Sequence, residues 1–333
     1  MKILIASHYF APSIGGIETV SRLLAEEFIK AGHETRVVTQ SAGETKMNFP
    51  VLRRPSAVAL IRALAWCDLF FQNNISLRTL WPALFFHRPV VVTHQTWIRQ
   101  GHEAADWAAK LKLLALRRTR SVAISHAIAR QLPVPAIVIG NPYDDQTFVN
   151  LGAAAREREL IYVGRLVSDK GVDLLLTALS ILLSSGTAVR LTVVGDGPER
   201  AALERQAREL QLHHTVEFVG SQSGAELAGT LNRHRILVVP SRWPEPFGIV
   251  ALEAIACGCV VVGSDQGGLP EAIGPCGMTF PNGNVEALAR VLGELLASPA
   301  QCEELLAHAP AHLGRFTRAT VARAYLELFE SLR

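Results

Sequence analysis

The chain holds 333 residues, 49% of them hydrophobic, with 33 Lys and Arg against 30 Asp and Glu for a formal net charge of +3. That content fills two cores of ordinary domain size and excludes a disordered chain. The charge is too small to imply nucleic acid as a partner, and no apolar run reaches the roughly 18 residues of a membrane span, because Glu253 interrupts the run 249–263.

Read in chain order, strand-like and helix-like segments alternate. The pattern predicts a strand over Lys2–Ser7, a loop over His8–Gly16 and an amphipathic helix over Ile17–Ala31 that Gly32-His33 closes. Further strands are expected over 35–39, 68–72, 90–93, 121–124 and 136–139. Asn150–Glu159, with Gly152 and three alanines ahead of alternating charges, is the most linker-like segment. Alternation then restarts with strands over 160–163, 191–194, 216–219, 236–239 and 260–263. Helices are expected over 172–184, 199–210, 284–297 and after Pro246, with a last one over 318–332. The economical reading is α/β: two doubly wound domains of similar size, 1–150 and 151–317, facing each other with the ligand between strand C-termini. The segment 318–333 is expected to pack back on the first.

The loops after strands carry the chemistry. Gly15-Gly16 precedes a helix, where backbone amides can meet a phosphate. Gly164-Arg165 and Lys170-Gly171 follow a strand, and a guanidinium fork with an ammonium point charge suits a diphosphate. Gly195-Asp196-Gly197 invites a dinucleotide reading, but Arg200 replaces the third glycine and Pro198 intervenes, which disfavours a nicotinamide oxidoreductase. No GxxxxGK[ST] loop occurs. His94 closes the strand Val-Val-Val-Thr near Trp97 and is a candidate substrate contact.

Glu245 and Glu253 stand eight residues apart in Ser-Arg-Trp-Pro-Glu-Pro-Phe-Gly-Ile-Val-Ala-Leu-Glu-Ala. A helix opening at Pro246 leaves the amides of Phe247, Gly248 and Ile249 unpaired. Glu253 shares a face with Ile249 and Val250, and the apolar helix around it implies a buried carboxylate that needs partners. Read alone, Glu245 is a helix cap and Glu253 a solvated side chain. Together, one carboxylate at the mouth, one on the flank and bare amides between suit a ligand both anionic and rich in hydroxyls, such as a nucleotide-sugar.

Assembled in this order, the residues resemble the retaining GT-B glycosyltransferases of family 4, related to sucrose synthase and to bacterial polysaccharide mannosyl- and glucosyltransferases. The resemblance rests on Phe10-Ala-Pro-Ser-Ile-Gly-Gly-Ile-Glu18, Ala31-Gly-His-Glu34, Asn141-Pro-Tyr-Asp144 with Phe148, and Val163-Gly-Arg-Leu-Val-Ser-Asp-Lys-Gly171. Val194-Gly-Asp-Gly-Pro198, Glu245–Glu253 and Gly267-Gly-Leu-Pro-Glu271 continue it. Asn141 departs from the pattern, being followed by Pro142 where Gly is usual. The resemblance implies two facing Rossmann-like domains with a cleft between them, the first for the acceptor and the second for the nucleotide-sugar. Arg165 and Lys170 would hold the diphosphate, with Gly164 beside them and the Gly16 amide opposite. Glu245 and the amides of Phe247, Gly248 and Ile249 would bind sugar hydroxyls. Val250 would approach the phosphate, Glu253 the ribose, and His94 the anomeric region, with the base near Gly220-Ser221.

The expected reaction moves a hexose of glucose, mannose or GlcNAc type from a UDP- or GDP-linked donor to an acceptor hydroxyl, with Arg165, Lys170, Glu245 and His94 as the catalytic set. No cofactor or metal is expected, since the cations neutralise the diphosphate and no Asp-x-Asp pair occurs. The rivals are a UDP-sugar 2-epimerase of the same architecture and a non-catalytic nucleotide-sugar-binding protein. Five cysteines without CxxC spacing read as reduced and buried, and no signal-peptide pattern follows Met1-Lys2, so a cytoplasmic protein is expected. Residues 1–150 carry a net +7 (17 basic, 10 acidic) and 151–333 a net −4 (16 and 20). The basic excess peaks at Lys110, Lys112, Arg117, Arg118 and Arg120, so 108–120 reads as a basic amphipathic helix, a possible contact with anionic lipid. With Trp97 and Trp107 it points to a saccharide or lipid-linked acceptor at the inner face of a membrane.

Overall fold

The structure is a computed structural model that describes all residues except 13–14, 45, 99–106 and 153–155, and not the side chains of 84 and 107–110. The chain forms two units, Met1–Pro142 with Thr317–Arg333, and Tyr143–Phe316.

The first unit is built on seven strands: β1 (Lys2–Ser7), β2 (Glu34–Thr39), β3 (Val51–Arg53), β4 (Leu69–Asn73), β5 (Val90–His94), β6 (Arg120–Ala123) and β7 (Ala136–Val138). They are parallel, in the order β3-β2-β1-β4-β5-β6-β7. Ile3, Leu4, Ile5 and Ala6 are all wholly buried, as expected for a strand covered on both faces. The helix Gly16–Lys30 turns Val20, Leu23, Leu24 and Phe28 to the sheet, a spacing of three to four residues that follows the helical repeat. The helix Arg318–Glu330 packs against it. Phe329 lies 5.5 Å from Phe28, and Tyr325 5.1 Å from Phe71. Each such aromatic burial contributes about 1.5–3 kcal/mol.

The second unit has six parallel strands: β8 (Arg158–Val163), β9 (Leu191–Val194), β10 (Val216–Gly220), β11 (His234–Val239), β12 (Val260–Ser264) and β13 (Gly277–Phe280). Their order is β10-β9-β8-β11-β12-β13. Leu160, Ile236, Val238, Val260 and Val262 from the strands meet Leu175, Leu179, Leu288 and Leu292 from the helices in one core. In both sheets the order reverses once, between β1 and β4 and between β8 and β11, the place where open α/β sheets receive ligands.

Some expectations are corrected. The chain leaves the first unit at Pro142, not within Asn150–Glu159. The Asn141 side chain is held by Gln95, whereas the Tyr143 amide donates to Phe316 O at 3.2 Å. The linker-like composition marks only the loop ahead of β8. Edge strands β3 and β13 are too short to show a period, and the helix Ala57–Trp66, capped by Ser56 Oγ, lacks the polar face that would mark it in the sequence.

The basic helix expected over 108–120 is Trp107–Leu116. It ends there because Arg120 opens β6, so Arg117 and Arg118 lie in the turn beyond. Of its described side chains, Leu111, Leu113 and Leu114 are exposed while Ala115 and Leu116 are buried. The side chains of Trp107 and Lys110 lie outside the described residues. Among the described residues no helix is long and apolar enough to cross a membrane.

Candidate functional site

In the second unit the polar side chains gather at the C-terminal ends of β8 and β11. After β8 the chain turns through Gly164-Arg165, and the turn after β9 presses on it: a Cβ on Gly195 would lie 1.8 Å from Gly164 O. Tyr162, buried in the sheet, donates its hydroxyl to Arg165 O at 2.9 Å. Burial pushes the Tyr162 phenol well above its ordinary range, and the charges of Glu245 and Asp169 push it further, against the opposing Arg165. The Arg165 residue is exposed, and its guanidinium makes no hydrogen bond among the described residues.

Lys170 closes the turn Ser168–Lys170, and its Nζ donates to Glu245 Oε1 at 2.6 Å. Gly171 follows at φ 70°, where a Cβ would sit 2.1 Å from Pro240 O. Only glycine allows both that backbone shape and that approach. Behind the turn, Arg242 forms a two-pronged ion pair with Asp173, and its amide and that of Trp243 both donate to Asp169 O. Ser241 Oγ reaches Glu245 Oε1 at 2.6 Å.

The main chain of Glu245 is fixed as firmly as its side chain. It forms a parallel bridge with Gly267, and the Gly268 amide donates to Glu245 O at 2.7 Å. That bridge corrects the helix start. Pro246 does not open the helix; Glu245 is held in the bridge, the chain bends at Pro246, and the helix runs Ile249–Ala256 from Gly248 at φ 109°. Phe247 is buried, its ring 5.6 Å from Phe316, so its side chain serves the core. Ala251 N bonds to Gly248 O, which leaves Ile249 and Val250 as the first-turn amides without a partner inside the helix.

Glu253 lies one turn on. The residue as a whole is only partly buried, yet desolvation of its carboxyl, with the nearby Asp144 charge added, pushes its pKa up to about 7. Gly220 ends β10 with Ser221 exposed after it, and Gly195 N donates to Gly220 O at 2.8 Å.

In the first unit, Gly15 caps the helix Gly16–Lys30 and Gly16 is exposed. Glu18 folds back over this end: a Cβ on Gly15 would lie 2.5 Å from its Oε2. Ser13 and Ile14 of the same loop are outside the described residues. His94 is wholly buried, with Nε2 3.2 Å from Ser121 Oγ and, among the described residues, no partner for Nδ1. Burial pushes its pKa down to about 4, so the ring is neutral at pH 7.

The structure thus joins Lys170 and Glu245, sets Arg165 and Glu253 in the same unit, and places Gly16 and His94 in the other. Three features were missed in the sequence. Ser241 and Tyr162 are single polar atoms inside apolar strand ends, which no spacing rule marks. The third is a buried amide cluster. Gln95 Nε2 donates to Asn73 Oδ1 and Asn141 Oδ1, and Asn73 Nδ2 donates to Ser21 Oγ at 2.6 Å. Asn73, Gln95 and Asn141 each stand at or just past a strand end, which was the available signal.

Residues 144–311 match the family model of glycosyl transferases group 1. A glycogen synthase of Mycobacterium tuberculosis is 37% identical over 184 residues, 53% of this chain and 44% of the relative. The match thus spans less than half the length of that curated relative. A GDP-mannose-dependent alpha-(1-6)-phosphatidylinositol dimannoside mannosyltransferase of the same species is 24% identical over 97% of this chain and 94% of its own. Among solved structures, Alr3699/HepE of Anabaena, in complex with UDP and glucose, superposes with a TM-score of 0.82 at 22% identity, covering 100% of both chains. At that identity the likeness concerns the fold, two Rossmann-like α/β domains of GT-B type.

Proposed function

The chain belongs to the glycosyl transferases group 1 family, and on that premise we propose that it moves a hexose from a UDP- or GDP-linked donor to an acceptor hydroxyl with retention of anomeric configuration. The observation that carries the reading is the joint placement of Lys170 and Glu245, 2.6 Å apart, ahead of the helix Ile249–Ala256. A cation for the diphosphate and a carboxylate for sugar hydroxyls meet where first-turn amides favour an anion. Exposed Arg165 supplies the second cation and Glu253 the ribose contact; the turn at Gly220-Ser221 completes the donor contacts.

In this reading the bond from the anomeric carbon to the diphosphate oxygen breaks and a bond to the acceptor oxygen forms, with the acceptor proton passing to the departing diphosphate. Negative charge grows on the leaving group, and Arg165, Lys170 and the helix amides stabilise it. His94, buried and neutral, is not part of the argument. The match to a transferase family, and none of the geometry, separates this reading from the epimerase.

The acceptor is proposed to be a saccharide or a lipid-linked saccharide, in polysaccharide or glycolipid synthesis, with peripheral contact at the inner face of a membrane. The test is incubation with UDP- and GDP-hexoses and a panel of glycans, followed by proton NMR of the product. An α-linked product from an α-linked donor supports the reading. Inversion at the anomeric carbon refutes retention, and interconversion of the donor sugar without transfer refutes the transferase.

A further inference from the structure

Both hydrogen bonds that Glu245 receives on its side chain fall on one oxygen. Lys170 Nζ and Ser241 Oγ each lie 2.6 Å from Oε1, and among the described residues Oε2 receives none. A carboxylate oxygen accepts about two hydrogen bonds, so Oε1 is filled and the free capacity lies on Oε2.

The two donors differ in what a diphosphate would do to them. Lys170 is a point charge on a flexible stem, with 21% of its side chain exposed. A diphosphate draws it away from a single carboxylate. Ser241 is neutral, short and 1% exposed. Its backbone is fixed on both sides: Pro240 precedes it with φ restrained and its carbonyl against Gly171, and the Arg242 amide that follows is bonded to Asp169 O at 2.9 Å. Ser241 does not follow the diphosphate.

Resting on the transferase reading above, we propose that Ser241 is the positioning residue of the sugar site, holding the Glu245 carboxylate in place once Lys170 turns to the donor diphosphate. Without it the carboxylate swings free at the moment the hexose needs it. The residue therefore sets how much tighter a nucleotide-hexose binds than the bare nucleotide. Nothing in its position bears on the nucleotide itself, which Arg165, Lys170 and Glu253 hold.

The experiment is calorimetric titration of the full chain with UDP and UDP-glucose, and with GDP and GDP-mannose, for wild type, Ser241→Ala, Ser241→Cys and Ser241→Thr. Ser241→Ala and Ser241→Cys are expected to keep the Kd of the nucleoside diphosphate within twofold. They should weaken the matching nucleotide-hexose about tenfold, the scale of one hydrogen bond to a charged group. Ser241→Thr, which keeps the hydroxyl, restores the difference. Alanine is smaller than serine and cysteine somewhat larger, so the two bracket its size and the comparison stands even if threonine is too large to fold. Equal weakening of both ligands, or an unchanged ratio, overturns the role of Ser241 alone. A wild type that binds neither UDP nor GDP overturns the transferase reading, and the role with it.

Discussion

The Tyr162 hydroxyl donates to the main-chain carbonyl of Arg165 at 2.9 Å, tying an exposed cation to a side chain buried in the sheet. Position, and not charge alone, is what the fold supplies to Arg165. Arg165→Ala and Lys170→Ala are each expected to lower turnover about 10²–10³-fold, by analogy with the loss of an oxyanion donor. Tyr162→Phe keeps both charges and should lose about tenfold or less, the scale of one neutral hydrogen bond. Steady-state release of nucleoside diphosphate from the donor measures all three, and near-normal rates in both alanine variants refute the assignment.

Glu253 gives the protein a pH signature. Its carboxyl titrates at about 7 in the folded chain against an ordinary 4.5, so the folded state keeps a proton that the unfolded state has lost in that window. Its own contribution to stability therefore falls as pH rises from 4.5 to 7, a change on the order of 3 kcal/mol, set against the rise that the buried neutral rings of His94 and His234 contribute between about 4 and 6.5. Donation from ribose hydroxyls favours the ionised form, so nucleotide binding should tighten with rising pH, by at most about tenfold per unit below pH 7. Glu253→Gln is expected to remove this falling contribution, so that stability rises more steeply with pH than in wild type, and to flatten the binding profile, read by thermal melts and titrations across pH. Identical profiles in the two proteins would remove Glu253 from the argument.

Chelation should leave the rate unchanged, because Arg165 and Lys170 supply the counter-charge that a divalent cation otherwise brings to a leaving diphosphate. Turnover with and without excess EDTA, followed by added magnesium, is the measurement. Loss on chelation with recovery on magnesium contradicts the expectation.

Gly171 and Gly186 both have positive φ, at 70° and 85°, but only Gly171 has a carbonyl where a side chain would go. Gly186→Ala is expected to cost about 1 kcal/mol for the backbone alone. Gly171→Ala, with Pro240 O 2.1 Å from its Cβ, should cost about 3 kcal/mol or more as the two turns are forced apart. Paired thermal melts separate the effects, and equal shifts would show that the close approach costs nothing.

The exposed Leu111, Leu113 and Leu114, with exposed Arg117, Arg118 and Arg120 just after, are expected to bring the chain to vesicles containing anionic lipid. Flotation with such vesicles should recover the protein at low salt and less of it at high salt. Leu113→Asp with Leu114→Asp is expected to abolish recovery; wild-type protein left at the bottom of the gradient refutes the contact.

Both sheets were legible in the sequence, because runs such as Ile3-Leu4-Ile5-Ala6 and Val260-Val261-Val262 are buried on two faces and leave a continuous apolar trace. Glu245, Lys170 and Arg165 were legible because charge beside a strand end is conspicuous. The start of the helix after Glu245 was not. Pro246 suits a first helical position, but the bridge from Glu245 to Gly267 joins segments far apart in sequence, and the helix begins only after Gly248. His94 stands at the strand end that the sequence marks, while its depth depends on neighbouring strands that a linear reading does not place.

The helix Arg318–Glu330 belongs to the first unit but is made only after the whole of Tyr143–Phe316. Until then the aromatic faces of Phe28 and Phe71 have no Tyr325 or Phe329 to meet. On the ribosome the earlier half waits, unfinished and sticky, while the later half is already free to fold. The core of the first unit is thus closed only by the last segment of the chain to be made, whereas the second unit has all of its own segments before that.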